Sequence, residues 1–502
     1  MILDKKNTLT NDVLLPSVFF GFFPASFILG NLATNINLVL FCGLSIYFLK
    51  SKILTIKISK PLKIIFLFFF IVFFTTTLSL VRSIYFQEYE QSDLDRLIKS
   101  LAYFRFFLLI LIVYFLSRLD MIDFKYFLII STLATIILSV DLIYQYAFGF
   151  DLMGSKSLGH YNSGFFGDEL IAGSYIKNFG FFSLLFIIYY FKDKNSLRFI
   201  LFLLATCILG AGIILSGNRM PLILFLFGLL LLFLFDIKFK KILFVSLISL
   251  IIVFSYIFSI DNIIKGKFIT YYINAENLVV SIFDKEKVNE LEKKTDTEKS
   301  KSHNFLKKKT EKQKEQTKNK DDNTLDVIKY AWEEFVNPPK WNKGQDITDD
   351  FEFFWVLQNE RDSHNKIYLT ALDVWSKNKL FGNGIKSFRI DCQKLLVHKR
   401  NRLCSNHPHN YYLEILTDTG ILGIFVIILM GFLFIYFIFK YFRLLNDISI
   451  HNLILLGSTI SLFLEAFPIK SSGSIFTTSN ATYIAIIVSI ILACKNTSLK
   501  KL

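Results

Sequence analysis

"FILFLLATCILGAGIILSGNRMPLILFLFGLLLLFLF", residues 199–235, contains a single charged side chain, Arg219, set between Gly217 and Pro221 where two long apolar runs meet. Each run is apolar on every face, whereas a helix on a soluble core would keep a polar side. Each is also about as long as the hydrocarbon core of a bilayer requires. The rest of the chain repeats the pattern. About twelve such blocks follow one another, near 13–30, 34–49, 62–81, 98–117, 125–149, 171–191, 199–216, 220–235, 242–260, 413–439, 450–469 and 475–494. With 53% hydrophobic and 17% aromatic residues in 502, the chain reads as an all-α integral membrane protein of about twelve transmembrane helices. The first block lacks a small-residue cleavage site and runs almost directly into the second, so it reads as a retained helix rather than a signal peptide.

Lysine and arginine in short joints mark the cytoplasmic side. With the N-terminus inside, the inner joints carry twenty of them, from Lys5 and Lys6 to Lys500 and Lys501. The outer joints carry six: Arg82, Arg96, Lys99, Lys156, Arg219 and Lys470. Nine helices then precede a long segment that faces the outer side. The expected organisation is a membrane domain at 1–261, a large, partly helical outer loop domain at 262–412, and a three-helix membrane domain at 413–502. Within the loop, 284–322 has 13 lysines against 10 acids and almost nothing to bury, a composition that leaves it solvated. The net charge of +15 follows from the joint bias and this insert. It points to membrane lipids and not to nucleic acid.

Charges within spans are costly and mark function. They are Arg105, Asp141, Lys177 and Glu465, with Arg219 at an outer joint, and all fall toward the outer ends of their blocks. A transporter or flippase of lipid-linked sugar needs polar groups along the whole path. The one-sided placement favours a site worked from the outer leaflet, with snorkelling to the headgroups as the plain alternative for Asp141 and Lys177.

"SNHPHNYYLEILTDTG", 405–420, leads into the tenth block. Asn410 is a good N-cap for a helix starting at Tyr411, although Pro408 at the first helical position would shift the cap to His407. At a helix N-terminus His409 is disfavoured as imidazolium and stays available as a neutral base. Glycosyl transfer from a lipid diphosphate sugar needs such a base, and cations for the departing diphosphate; Arg105 and Arg219 suit the second role. Cys392 and Cys404 lie in the outer loop, where they pair or remain thiols. With His407 and His409 they also make C-x11-C-x2-H-x-H, four zinc-type ligands at a spacing that matches no specific finger pattern. Asp93 and Asp95 in "SDLDRL" form a lone Asp-x-Asp. Trp375 and "FEFFWVLQ" (351–358) are aromatic groups suited to membrane-surface packing or to stacking on sugar.

"HPHNYYLEILTDTGILG", "KNKLFGNGIKSFR" (377–389), "SGNRMPLILF" (216–225) and "GFFGDELIAGSY" (164–175), taken with the block count and the late outer loop, resemble the O-antigen ligase and O-antigen polymerase family of bacterial membrane proteins. The resemblance implies a C-type, inverting, metal-independent glycosyltransferase with no cofactor, in the inner membrane with its site facing the periplasm. The implied donor is an undecaprenyl-diphosphate-linked glycan. The acceptor is lipid A core for a ligase, a second carrier-linked repeat for a polymerase, or a protein side chain. It further implies His409 as the catalytic histidine with His407 beside it, Asn410 and Glu414 in support, and Arg219 on the diphosphate. Family members often carry a second arginine in the outer loop; near that position this chain has His364, with Arg361 three residues earlier and Arg389 as a further contributor.

Overall fold

The computed structural model describes residues 10–157, 161–235, 240–261, 264–266, 269, 363–396, 402–441 and 448–499. The lysine-rich insert, "FEFFWVLQ" and Arg361 lie outside them. Fifteen α-helices are described: α1 (Asn11–Gly21), α2 (Phe23–Ile28), α3 (Asn31–Leu49), α4 (Lys60–Tyr85), α5 (Gln91–Arg118), α6 (Lys125–Phe148), α7 (Ala172–Tyr190), α8 (Asn195–Leu215), α9 (Arg219–Phe235), α10 (Lys240–Ile260), α11 (Ser363–Ser376), α12 (Phe388–Leu396), α13 (Tyr411–Tyr441), α14 (Ile450–Glu465) and α15 (Thr478–Leu499). Among the described residues the sole β feature is an isolated bridge between Phe150 and Lys156.

Among the described residues nine apolar spans are long enough to cross a membrane, α1 and α2 together making the first. Three shorter apolar helices, Arg219–Leu234, Ile450–Glu465 and Thr478–Cys494, complete a set that meets the twelve expected blocks one for one. This is a polytopic membrane protein. By its internal contacts the chain divides into one unit of Met1–Ile257 with Asp362–Leu502, and a second of Phe258–Arg361. Of the second, the described part is the end of α10 and a few residues after it.

Within the first unit α7 is the centre, packed on α6, α8 and α14. Its apolar window is 78% buried, against 17% for α13, whose Phe425, Phe432 and Phe439 are exposed as lipid-facing side chains should be. Small residues let helices approach where no hydrophobic drive separates protein from lipid. On α8, a Cβ at Gly212 would lie 2.9 Å from Ser139 Cβ of α6. Hydroxyls folded back on their own helices satisfy part of the polar interior, and bonds between helices add to them, among them Thr135 Oγ1 to Ser183 Oγ at 2.7 Å and Tyr483 OH to Asn178 O at 2.9 Å.

A separate small core caps one end of the unit. Ile367, Ala371 and Val374 lie on one face of α11 and pack against Phe388 and Cys392 of α12, with Leu413 of α13 beside them. A disulfide joins Cys392 to Cys404, their Cα atoms 5.7 Å apart, and Arg402 Nε meets Asp373 Oδ2 at 2.6 Å. These links tie the segment that leads to the histidines onto α11 and α12.

Candidate active site at the start of α13

The cap of α13 falls on Asn410, whose Oδ1 accepts from the backbone N–H of Tyr412 at 3.0 Å and Leu413 at 3.2 Å. Its Nδ2 donates to the Pro468 carbonyl at 2.7 Å. One residue earlier, His409 has φ +55°, a left-handed backbone that a side chain rarely adopts unless its surroundings impose it. Two contacts do so. The His409 carbonyl accepts from Ser472 N–H at 2.9 Å, and its ring Nε2 lies 3.1 Å from Ser405 Oγ. The ring centroids of His407 and His364 are 4.2 Å and 5.3 Å from that of His409. Three imidazoles therefore share the mouth. His407 Nε2 is buried without a hydrogen-bond partner among the described residues. Burial pushes the His409 imidazolium down to about 4, with His407 and His364 acting in the same direction. His407 is lowered by burial, with Arg389 adding to the effect. Both rings are neutral bases at neutral pH.

The helix behind this mouth is broken. At Gly420 the backbone leaves the helix (φ 64°, ψ −160°), and residues 378–384 fill the gap. Asn383 and Gly384 N–H donate to the Thr417 and Asp418 carbonyls, both at 2.9 Å. Ile421 and Leu422 N–H, which those carbonyls would serve in an unbroken helix, turn instead to Lys379 O at 2.9 Å and Leu380 O at 3.2 Å. The exchange needs backbones in contact. A Cβ on Gly382 (φ +66°) would lie 2.5 Å from Asp418 C, and one on Gly420 would strike the Leu380 carbonyl. The G-x-G stretch is thus a splint for α13. The Asp418 carboxylate, fully buried, accepts from Lys386 N–H at 2.6 Å, Ser387 N–H at 3.3 Å and Ser387 Oγ at 3.0 Å just before α12. Arg96 NH1 donates to the Asn383 carbonyl at 2.9 Å while its other arm holds Asp93.

One turn before Asp418, Glu414 is also buried and accepts from Ser474 Oγ at 2.5 Å and Ile475 N–H at 2.8 Å. Glu465 ends α14 between two cations, Lys177 Nζ at 2.7 Å and Lys470 Nζ at 2.6 Å, and accepts the Tyr411 hydroxyl at 2.7 Å. Sequence reasoning passed over Asp418, Lys470 and Ser472. A second acid at i+4 from Glu414 in an apolar run was the available signal for Asp418. Nothing local marked the other two.

The remaining expected residues divide. His364 reaches the mouth, whereas Arg105 faces elsewhere, its guanidinium on Thr478 Oγ1 at 3.2 Å and over the Phe106 ring at 4.5 Å. Arg219, at the start of α9, has no hydrogen-bond or ion-pair partner among the described residues. The Asp141 carboxylate holds the Leu152 N–H at 2.9 Å, a loop-fixing contact. Asp93 and Asp95 do not converge, because they lie two apart on α5 and so point to different sides; Asp93 is buried and Asp95 exposed. With both sulfurs in the disulfide, Cys392 and Cys404 do not join the histidines as thiolate ligands. Trp375 Nε1 donates to Lys379 O at 3.0 Å, at the splint.

The fold and site define a multi-pass membrane protein with a polar, histidine-lined mouth at one end of an apolar bundle. Residues 199–428, from α8 through the break in α13, match the family model for O-antigen ligase. The match contains Arg219, the G-x-G splint and the histidines. No curated protein matches the chain.

Proposed function

We propose that this protein transfers a glycan from an undecaprenyl-diphosphate carrier to lipid A core, with inversion and without a metal, at the periplasmic face of the bacterial inner membrane. The observation that carries the reading is His409, a neutral imidazole fixed in an imposed backbone conformation within the family-matched segment. In the reaction His409 takes the proton of the acceptor hydroxyl as its oxygen bonds to the anomeric carbon. The bond from that carbon to the diphosphate oxygen breaks on the opposite face, and the electron pair leaves with the carrier. His407 and His364 flank the base. Arg219, its side chain uncommitted, meets the diphosphate, with Arg361 and Arg389 as further cations. The lysine and arginine bias of the joints supports the periplasmic orientation.

The test is transfer in reconstituted membranes from an undecaprenyl-diphosphate glycan to lipid A core, with chelator present. His409→Ala is expected to lose at least about 10²-fold in rate, and wild type to be indifferent to chelator. Undiminished transfer by His409→Ala removes the base assignment. Extension of carrier-linked repeats in place of transfer to core changes the acceptor.

A further inference from the structure

Glu465 has more positive charge around it than it needs. Lys177 alone would balance the carboxylate, yet Lys470 also pairs with it, and all three side chains are buried. A second buried ammonium carries a desolvation cost that one carboxylate cannot fully offset. Burial lowers Lys470 to about 8, Lys177 adds to the lowering, and Glu465 resists it. The ammonium also lies 4.8 Å from the centroid of the Tyr411 ring, whose hydroxyl is on the same carboxylate.

Lys470 differs from Lys177 in what it anchors. Lys177 belongs to α7, which the bundle holds in any case. Lys470 belongs to the segment 466–477, and that segment grips the histidine mouth. Its Pro468 carbonyl takes Asn410 Nδ2, its Ser472 N–H holds the His409 carbonyl, and its Ser474 and Ile475 hold Glu414. We propose that residues 466–477 are the strap that keeps His409 in its left-handed conformation and that Lys470, pinned between Glu465 and Tyr411, is the positioning residue of that strap. The inference rests on His409 being the working base.

The two lysines supply their own control, because Lys470→Met and Lys177→Met each leave one buried cation–carboxylate pair. In the reconstituted transfer assay, with undecaprenyl-diphosphate glycan and lipid A core, Lys470→Met is expected to lower kcat by about 10²-fold, as misplacement of a reacting group does. Its donor KM should stay near wild type, Lys177→Met should keep most of its kcat, and Lys470→Arg should recover part of the loss. Equal losses in the two methionine variants would reduce the cluster to general structural support and overturn the proposal. Amide hydrogen exchange at Ser472 gives a second reading that needs no turnover. Faster exchange in Lys470→Met than in Lys177→Met supports the strap, and equal exchange removes it. His409→Ala in the same assay separates the two ideas: if it still transfers, the base assignment fails while the exchange comparison still judges the strap.

Discussion

At the start of α13, His409 is held through its carbonyl, through its ring nitrogen and by the capped helix that follows, whereas at the start of α9 the Arg219 side chain has no hydrogen-bond or ion-pair partner among the described residues. The backbone under Arg219 is nonetheless fixed. Gly217 takes φ +76°, Ser216 Oγ folds back on Ile213 O at 2.7 Å, and Asn218 Nδ2 reaches Leu170 O at 2.9 Å. One proposed functional group is ordered in advance and the other is left open on an ordered support. A proton acceptor works by position, so its constraints have to exist before substrate arrives. A cation for a leaving diphosphate works on charge that appears later, and donors committed to the protein would be lost to it.

The sharpest way to break this contrast is to remove the frame behind the histidine mouth. Asp418→Ala strips the acceptor from Lys386 N–H, Ser387 N–H and Ser387 Oγ, and leaves those donors facing a buried cavity. A loss of about 3 kcal/mol in unfolding free energy is expected, read by thermal unfolding in nanodiscs, with Asp418→Asn intermediate. Wild-type stability in Asp418→Ala would mean that the splint does not depend on this carboxylate.

The opposite pole of the contrast predicts the opposite signature. Arg219→Ala should leave the unfolding temperature unchanged, since no bond of the folded protein is lost. It should raise the donor KM about tenfold, near 1.4 kcal/mol, if the guanidinium meets the diphosphate in the ground state. Steady-state kinetics with the lipid-linked donor separates this from a pure kcat effect, which would place Arg219 on the transition state alone. A drop in stability with unchanged kinetics would dissolve the comparison, because Arg219 would then be another structural contact.

What could be read from the sequence follows from the range of the forces involved. The spans were legible because length and apolarity are local properties, and each expected block met a helix. The cap was legible for the same reason: Asn410 bonds two and three residues ahead. The break at Gly420 was not, since "TGILGIFVIILMG" is an uninterrupted apolar run with nothing in it to announce that residues 378–384 enter there. The G-x-G motif showed that a special backbone was needed, but not what it would touch. Lys470 was hidden differently. It read as one more charge in a short joint until Glu465 and Tyr411 were seen around it. The lone Asp-x-Asp was a weak signal in the sequence and forms no pair in the fold, because helical geometry turns two nearby acids to different faces.

The gentlest test of the contrast is pH, where the histidine mouth should show less change than an ordinary histidine would. His409 titrates near 4 because burial, then His407, then His364 disfavour its charged form. In an unfolded chain a histidine titrates near 6.5. Above about 6.5 the ring is neutral in both states and contributes no pH slope. Between about 6.5 and 4 the unfolded chain binds a proton that the native ring does not, so stability falls as pH falls through that window and the slope ends below it. Activity should follow the native value. Transfer should therefore hold nearly level from pH 7 to about 5 and fail toward 4, as read from kcat/KM against pH. Replacing His364 with Asn removes one neighbour that opposes protonation and should move the acid limb upward by a fraction of a unit. A limb at 6.5 in the wild type would mean that the ring meets water freely, and the contrast with Arg219 would lose its ordered half.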